Sequence, residues 1–148
     1  MHTYPLHLLL ADDDEDDRML FHEALRESPV ELKLVTVKDG VQLMELLLDK
    51  ETTLPHMLFL DLNMPRKTGI ECLIEIKQHE TLKRLPVIIY STSFIPNVVN
   101  EVYEHGAHHY IRKPGEFSKL KRAIHQAISV TPQSNLVQPA RENFVIQD

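Results

Sequence analysis

Six acids run without interruption from Asp12 to Asp17, directly after the apolar stretch Leu6 to Ala11. Another acid, Asp61, follows the apolar stretch Met57 to Leu60. One further apolar stretch, Val87 to Tyr90, runs into Ser91, and the weaker strand segment His109 to Arg112 runs into Lys113. Asp12, Asp13 and Asp61 repel one another if they share a pocket, and burial sharpens that repulsion. A hard divalent cation relieves it. Mg²⁺ suits such a set, because it takes one or two carboxylates and completes its shell with water and phosphate oxygens. A lysine and a hydroxyl opposite the cation are suited to bond phosphoryl oxygens. The pattern points to a pocket that holds a phosphoryl group on or near Asp61, with the Asp61 carboxylate as nucleophile.

That chemistry requires residues far apart in the chain to meet, and the intervening pattern supplies the means. Leu6 to Ala11 reads as a strand buried on both faces. A helix follows, with Asp14 or Asp16 at its start, Leu20, Phe21, Ala24 and Leu25 on its apolar side, and Ser28-Pro29 at its end. Leu32 to Val37 is a second strand, and Asp39 caps a helix carrying Val41, Met44, Leu47 and Leu48. After the Met57 to Leu60 strand, Asn63, Pro65, Thr68 and Gly69 form a loop, then Ile70, Leu73, Ile74 and Lys77 begin a third helix. The Val87 to Tyr90 strand leads through Ser91-Thr92-Ser93 to a helix with Ile95, Val98, Val99 and Val102, stopped by Gly106. His109 to Arg112 is the fifth strand, broken by Lys113-Pro114, and Phe117, Leu120, Ile124, Ala127 and Ile128 mark the last helix. Five strands alternating with five helices argue for an α/β fold: a doubly wound parallel sheet with helices on both faces. In such sheets the site lies beyond the carboxyl ends of the strands, which is where the reactive residues stand.

Composition narrows the classes. The chain has 148 residues, enough for one domain that folds without disulfides or a structural metal. We expect that domain over residues 1–130 and a polar C-terminal tail over 131–148. Net charge is -6, and outside the Asp12 to Asp17 run the acids and bases balance, so the negative excess is local. A nucleic-acid binder would show a basic stripe instead. Apolar runs reach about five residues, against the ~20 of a membrane helix. A single cysteine, Cys72, and no visible secretory signal fit the reducing cytoplasm.

The stretches LHLLLADDDEDD, MLFLDLNMPRKTGIE, LPVIIYSTS and GAHHYIRKP, in that order, resemble the receiver domain of bacterial two-component response regulators. The resemblance runs from residue 6 to about 128. Within the family the chain is similar to stand-alone receivers that partner cyanobacterial phytochrome kinases. The resemblance implies a flavodoxin-like strand order of 2-1-3-4-5. It makes Asp61 the phosphoacceptor, loaded from a phosphohistidine on a sensor histidine kinase. Asp13 then ligates Mg²⁺ directly, Asp12 does so through water or as a second carboxylate, and Asn63 offers its backbone carbonyl. Ser91 and Lys113 bond phosphoryl oxygens. Tyr110 is the aromatic switch, expected to move from an exposed to a buried rotamer on phosphorylation. Lys113-Pro114 is expected to be a cis peptide. The face of the fourth helix, fifth strand and fifth helix receives an unknown downstream protein or a second copy.

Three positions depart from the common pattern of the family. Asp12 stands where Glu is frequent in this subgroup, Ser91 where Thr is commoner, and Thr92 where a small residue is usual; Thr92 is expected to crowd the phosphoryl pocket. Two other functions compete with a signalling module that is not an enzyme acting on other substrates. A Mg²⁺-dependent phosphatase with an aspartyl-phosphate intermediate would place an acid two residues after its nucleophile, where this chain has Asn63. An unphosphorylated interaction module would have no need of Asp12, Asp13, Asp61, Ser91 and Lys113 together. His105, His108 and His109 read as surface histidines rather than a metal cluster, and Cys72 as a partly buried, unreactive thiol. Arg66 and Lys67 lie in the loop beside Asp61.

Overall fold

Short apolar runs without a polar face are stable as strands only where both sides of a sheet are covered, and that is their setting here. The computed structural model describes residues 5–131 and 137–146. Its elements alternate: β1 (Leu6–Ala11), α1 (Glu15–Leu25), β2 (Leu32–Val37), α2 (Gly40–Leu48), β3 (Met57–Leu60), α3 (Gly69–Gln78), β4 (Val87–Ser91), α4 (Pro96–Glu104), β5 (His109–Arg112) and α5 (Phe117–Val130). The strands form one parallel sheet in the order β2-β1-β3-β4-β5. The order reverses between β1 and β3, whose last residues Ala11 and Leu60 pair directly.

Side chains alternate across the sheet into two cores. Leu6, Leu8 and Leu10 pack with Phe21 and Ala24 of α1 and with Leu120, Ile124 and Ala127 of α5. Leu9 and Ala11 face the opposite way, into a core with Leu43 of α2, Leu73 and Ile76 of α3, and Val99 and Val102 of α4. Helix starts follow local chemistry. Asp14 accepts the Asp17 N–H, and Asp39 accepts the Gln42 N–H. Thr68 and Glu71 satisfy each other's backbone N–H groups in a capping box. At α4, however, no side chain caps the start: Ile95 precedes Pro96, whose missing N–H leaves one fewer unpaired donor and whose fixed φ suits a first helical residue.

Part of the expected polar C-terminal tail packs back onto the sheet. A short 3₁₀ turn (Arg141–Asn143) leads Phe144, Val145 and Ile146 onto the open edge of β5. Tyr110 N–H donates to the Phe144 carbonyl at 3.1 Å, and Ile146 N–H donates to the Tyr110 carbonyl at 2.9 Å. Phe144 is fully buried in one core, and Ile146 is buried in the other. Three consecutive apolar residues after a polar stretch are a weak signal along the chain. They suffice here because an edge strand offers unpaired backbone groups. Residues 132–136, 147 and 148 of the expected tail lie outside the described residues. Among the described residues no helix is long and apolar enough to cross a membrane.

Candidate functional site

The reversal of strand order leaves a crevice at the carboxyl ends of β1 and β3, and the acids fall into it. One carboxylate oxygen each from Asp12, Asp13 and Asp61 lies within 4.8 Å of the others. Asp12 and Asp61 are buried, while Asp13 is exposed. Asp12 accepts the Asp14 N–H at 3.0 Å, and its carbonyl accepts a bond from the Arg18 guanidinium at 2.8 Å. The Asn63 N–H donates to Asp61 Oδ1 at 3.3 Å. Gly69 holds the first turn of α3 against this loop. A Cβ there would lie 2.2 Å from the Asp61 carbonyl oxygen, so only glycine permits the approach.

β5 brings Lys113 to the same crevice. Its ammonium donates to Asp12 Oδ2 at 2.8 Å and to Asp17 Oδ2 at 2.8 Å, and lies 3.6 Å from Asp61 Oδ2. It also sits over the Tyr90 ring, 5.0 Å from the centroid. Its N–H donates to the Ser91 carbonyl at 2.8 Å, which ties the ends of β4 and β5 together. The described residues contain no cis peptide, so Lys113-Pro114 is trans, contrary to expectation. Trans is the lower-energy isomer even before proline, and Lys113 reaches the carboxylates through it.

Ser91 is fully buried at the end of β4, where its Oγ accepts the Ser93 N–H at 3.2 Å. The Ser93 carbonyl in turn accepts a hydrogen bond from the Tyr110 hydroxyl. Ser93 Oγ accepts from the Asn63 amide at 3.1 Å. Ser91, Tyr110 and Asn63 thus share one loop. Tyr110 is already fully buried, not poised outside as expected. Phe144 packs edge-on beneath it at 6.3 Å, and Phe94 lies edge-on at 5.7 Å. Thr92 is exposed and does not fill the pocket.

Electrostatics match the geometry. Burial, more than any other cause, pushes the Asp61 carboxyl up to about 6, and it also raises Asp12. Burial works against the Lys113 charge, but the bonds to Asp12 and Asp17 outweigh it and raise the ammonium. The Lys113 ammonium therefore serves three carboxylates, Asp12, Asp17 and Asp61, and Asp13 stands beside them. That shortfall of positive charge, with hard oxygen donors gathered in a cleft, fits a divalent cation held by Asp12, Asp13 and Asp61.

Other candidates fall elsewhere. His108 and His109 are buried rather than on the surface, because the lead into β5 runs under other chain. His109 Nδ1 is 3.1 Å from the Phe144 carbonyl, and burial lowers both imidazoles, His108 to about 4. Among the described residues, the histidines join no metal-binding group. Cys72 is fully buried with its thiol raised to about 11 by burial, which suits an inert core residue. Arg66 takes a left-handed φ of 68° within a tight turn closed by Lys67 N–H on the Pro65 carbonyl, and its guanidinium lies 3.3 Å from Asp39. Sequence reasoning missed the contact of Asp17 with Lys113. No local motif signals a pair that spans 96 positions.

Comparison with known proteins agrees with this architecture. The response regulator Rcp1 of Synechocystis sp. is 33% identical over 124 residues, covering 81% of this chain and 84% of that protein. The crystal structure of the Mn²⁺-bound form of Rcp1 superposes with a TM-score of 0.80 at 31% identity, over 92% of this chain and 100% of that one. The phosphorylated cyanobacterial phytochrome response regulator RcpA superposes with a TM-score of 0.77 at 36% identity, over 85% and 92% of the two chains. The response regulator receiver domain model matches residues 8–125. With sequence, strand order and the acidic crevice in agreement, the chain belongs to the response regulator receiver domain family.

Proposed function

We propose that this receiver takes a phosphoryl group from a sensor histidine kinase onto Asp61, with Mg²⁺, and thereby changes which partner it binds. The observation that carries the reading is the convergence of Asp12, Asp13 and Asp61 with the buried Ser91 hydroxyl and the Lys113 ammonium at one sheet edge. Asp13 and Asp61, with Asp12 and the Asn63 carbonyl, would hold the cation, which supplies neutralisation of the phosphoryl charge when bound. Phosphoryl transfer has a loose transition state, so the chain's own residues chiefly position and neutralise. The Asp61 carboxylate attacks phosphorus as the bond to the donor nitrogen breaks, leaving an acyl phosphate on Asp61. Lys113 and Ser91 then bond its oxygens. The Asn63 side chain, held by Ser93, borders the path of water to that bond, and hydrolysis returns the resting form. The chain thus assists its own phosphorylation and dephosphorylation. We place it in the cytoplasm, where the lone thiol of Cys72 stays reduced. The direct test is incubation with Mg²⁺ and a phosphorylated histidine kinase. One phosphoryl group should appear on an acid-stable, hydroxylamine-labile bond, and no incorporation would overturn the reading.

Metal binding has its own expected result. An acid whose folded-state value is raised stabilises the fold only at low pH, and that contribution is lost as pH rises from about 4 through about 6. Above this range Asp61 is charged and is repelled by its acidic neighbours. Millimolar Mg²⁺ should therefore raise the melting midpoint more at pH 7.5 than at pH 5. At a hundredfold excess over Kd the gain is about 2.7 kcal/mol, or several degrees. Asp13→Ala should lose most of the shift. An equal shift at both pH values, or one that survives in Asp13→Ala, would count against the site.

The signal leaves through Ser93. A phosphoryl oxygen that recruits the Ser91 hydroxyl removes the acceptor the Ser93 N–H now uses, and Ser93 also holds the Tyr110 hydroxyl. The face of α4, β5 and α5 responds, and a downstream protein or second copy docks there, over residues 137–146 of the chain itself. Ser91→Ala should still accept phosphate. Its Tyr110 ring resonances should nonetheless stay near their resting shifts when phosphate is added. Parent-like shifts on phosphorylation in that variant would refute the coupling.

A further inference from the structure

The Lys113 ammonium has three protons, and two are taken before any phosphoryl group arrives. Asp12 and Asp17 each accept at 2.8 Å, whereas Asp61 lies beyond bonding distance at 3.6 Å. The two acceptors differ in what water can do for them. The Asp12 side chain is fully buried, but that of Asp17 is 30% exposed. Water can take the place of Lys113 at Asp17 and has no access to do so at Asp12. The Asp17 backbone is fixed in the first turn of α1 by the Asp14 cap, so its carboxylate has a set position facing the lysine.

The geometry points to Asp17 as a positioning residue that holds the Lys113 ammonium off Asp61 and competes with the phosphoryl group for it. The inference rests on Asp61 being the phosphoacceptor. When a phosphoryl group forms on Asp61, the bond to Asp17 is the one released, and the freed proton of the ammonium turns to a phosphoryl oxygen. Asp17 also adds a negative charge beside an anion. Both effects weaken the hold on the phosphoryl group, so Asp17 sets how much of the protein is loaded at a given donor supply.

Beryllofluoride, an anion that adds to a carboxylate in the shape of a phosphoryl group, is the probe. Its affinity is measured by fluorine NMR at saturating Mg²⁺ for the parent, Asp17→Asn, Asp17→Glu and Asp61→Asn, with melts to confirm that each is folded. Asp17→Asn should bind about three- to tenfold more tightly than the parent, the range set by the loss of one charge-assisted bond and one partly screened charge. Asp17→Glu should stay close to the parent. A merely structural role would loosen the pocket and weaken binding. Equal or weaker binding by Asp17→Asn, or equal tightening in Asp17→Glu, would overturn the role of Asp17 and leave the phosphoacceptor in place. A parent that does not bind, or an Asp61→Asn protein that binds as well as the parent, would instead overturn the phosphoacceptor and with it this inference.

Discussion

Asp61→Asn should abolish phosphoryl incorporation while leaving the protein folded. The amide matches the carboxylate in size, so the crevice keeps its shape. Its nitrogen and oxygen cannot attack phosphorus to form an acyl phosphate, and no other buried carboxylate is as placed: Asp12 is tied to Lys113 and the Asp14 N–H. Stability should move the other way. Burial has already raised Asp61 to about 6, so above that pH the fold carries the charged form at a cost to its stability. Removing the charge should stabilise the metal-free protein at pH 7.5 by on the order of 1–3 kcal/mol, and leave it unchanged near pH 4, where the parent carboxyl is neutral. Loss of labelling with a raised melting midpoint separates a missing nucleophile from a broken fold. Labelling of Asp61→Asn at the parent level would show that the phosphoryl group goes elsewhere.

Phe144→Ala should cost about 3–5 kcal/mol, as expected for truncating a fully buried phenylalanine, and lower the melting midpoint by roughly 10 °C. The ring lies at 5.0 Å from that of Tyr103 and at 6.3 Å from that of Tyr110, both edge-on. Its loss opens a cavity under β5 and removes the anchor of residues 137–146. Ile146 remains seated in the other core, and polar contacts hold the rest of the segment. The Tyr103 hydroxyl donates to the Pro139 carbonyl at 2.8 Å, and Gln138 donates to the Tyr103 and Ala107 carbonyls at 2.7 and 2.6 Å. Glu142→Ala, an exposed change in the same segment, should stay within about 0.5 kcal/mol of the parent. Equal midpoints for Phe144→Ala and the parent would show that the segment contributes no core.

The chain announces its sheet because parallel strands buried on both faces must be nearly continuously apolar, and Leu6 to Ala11 (apart from His7), Met57 to Leu60 and Val87 to Tyr90 are. It also announces the acceptor crevice, because residues at strand ends must converge once the strands are parallel. Asp12, Asp13, Asp61, Ser91 and Lys113 could therefore be gathered from order alone. What could not be read depends on contacts between segments far apart. The buried state of Tyr110 is set by Phe144 and by the Ser93 carbonyl, and the burial of His109 by the same returning segment. Residues 137–146 are polar on average, and only the open edge of β5 makes three apolar side chains enough to dock them. The pairing of Asp17 with Lys113 spans 96 positions and follows from the pitch of α1, not from any local motif. Sequence by itself determined the periodicity and the residue types at the strand ends, since those are set by backbone geometry and burial. Tertiary structure alone decided which edge was covered and which of several nearby carboxylates held the Lys113 ammonium, because those outcomes turn on distances of a few ångströms between elements that share no sequence neighbourhood.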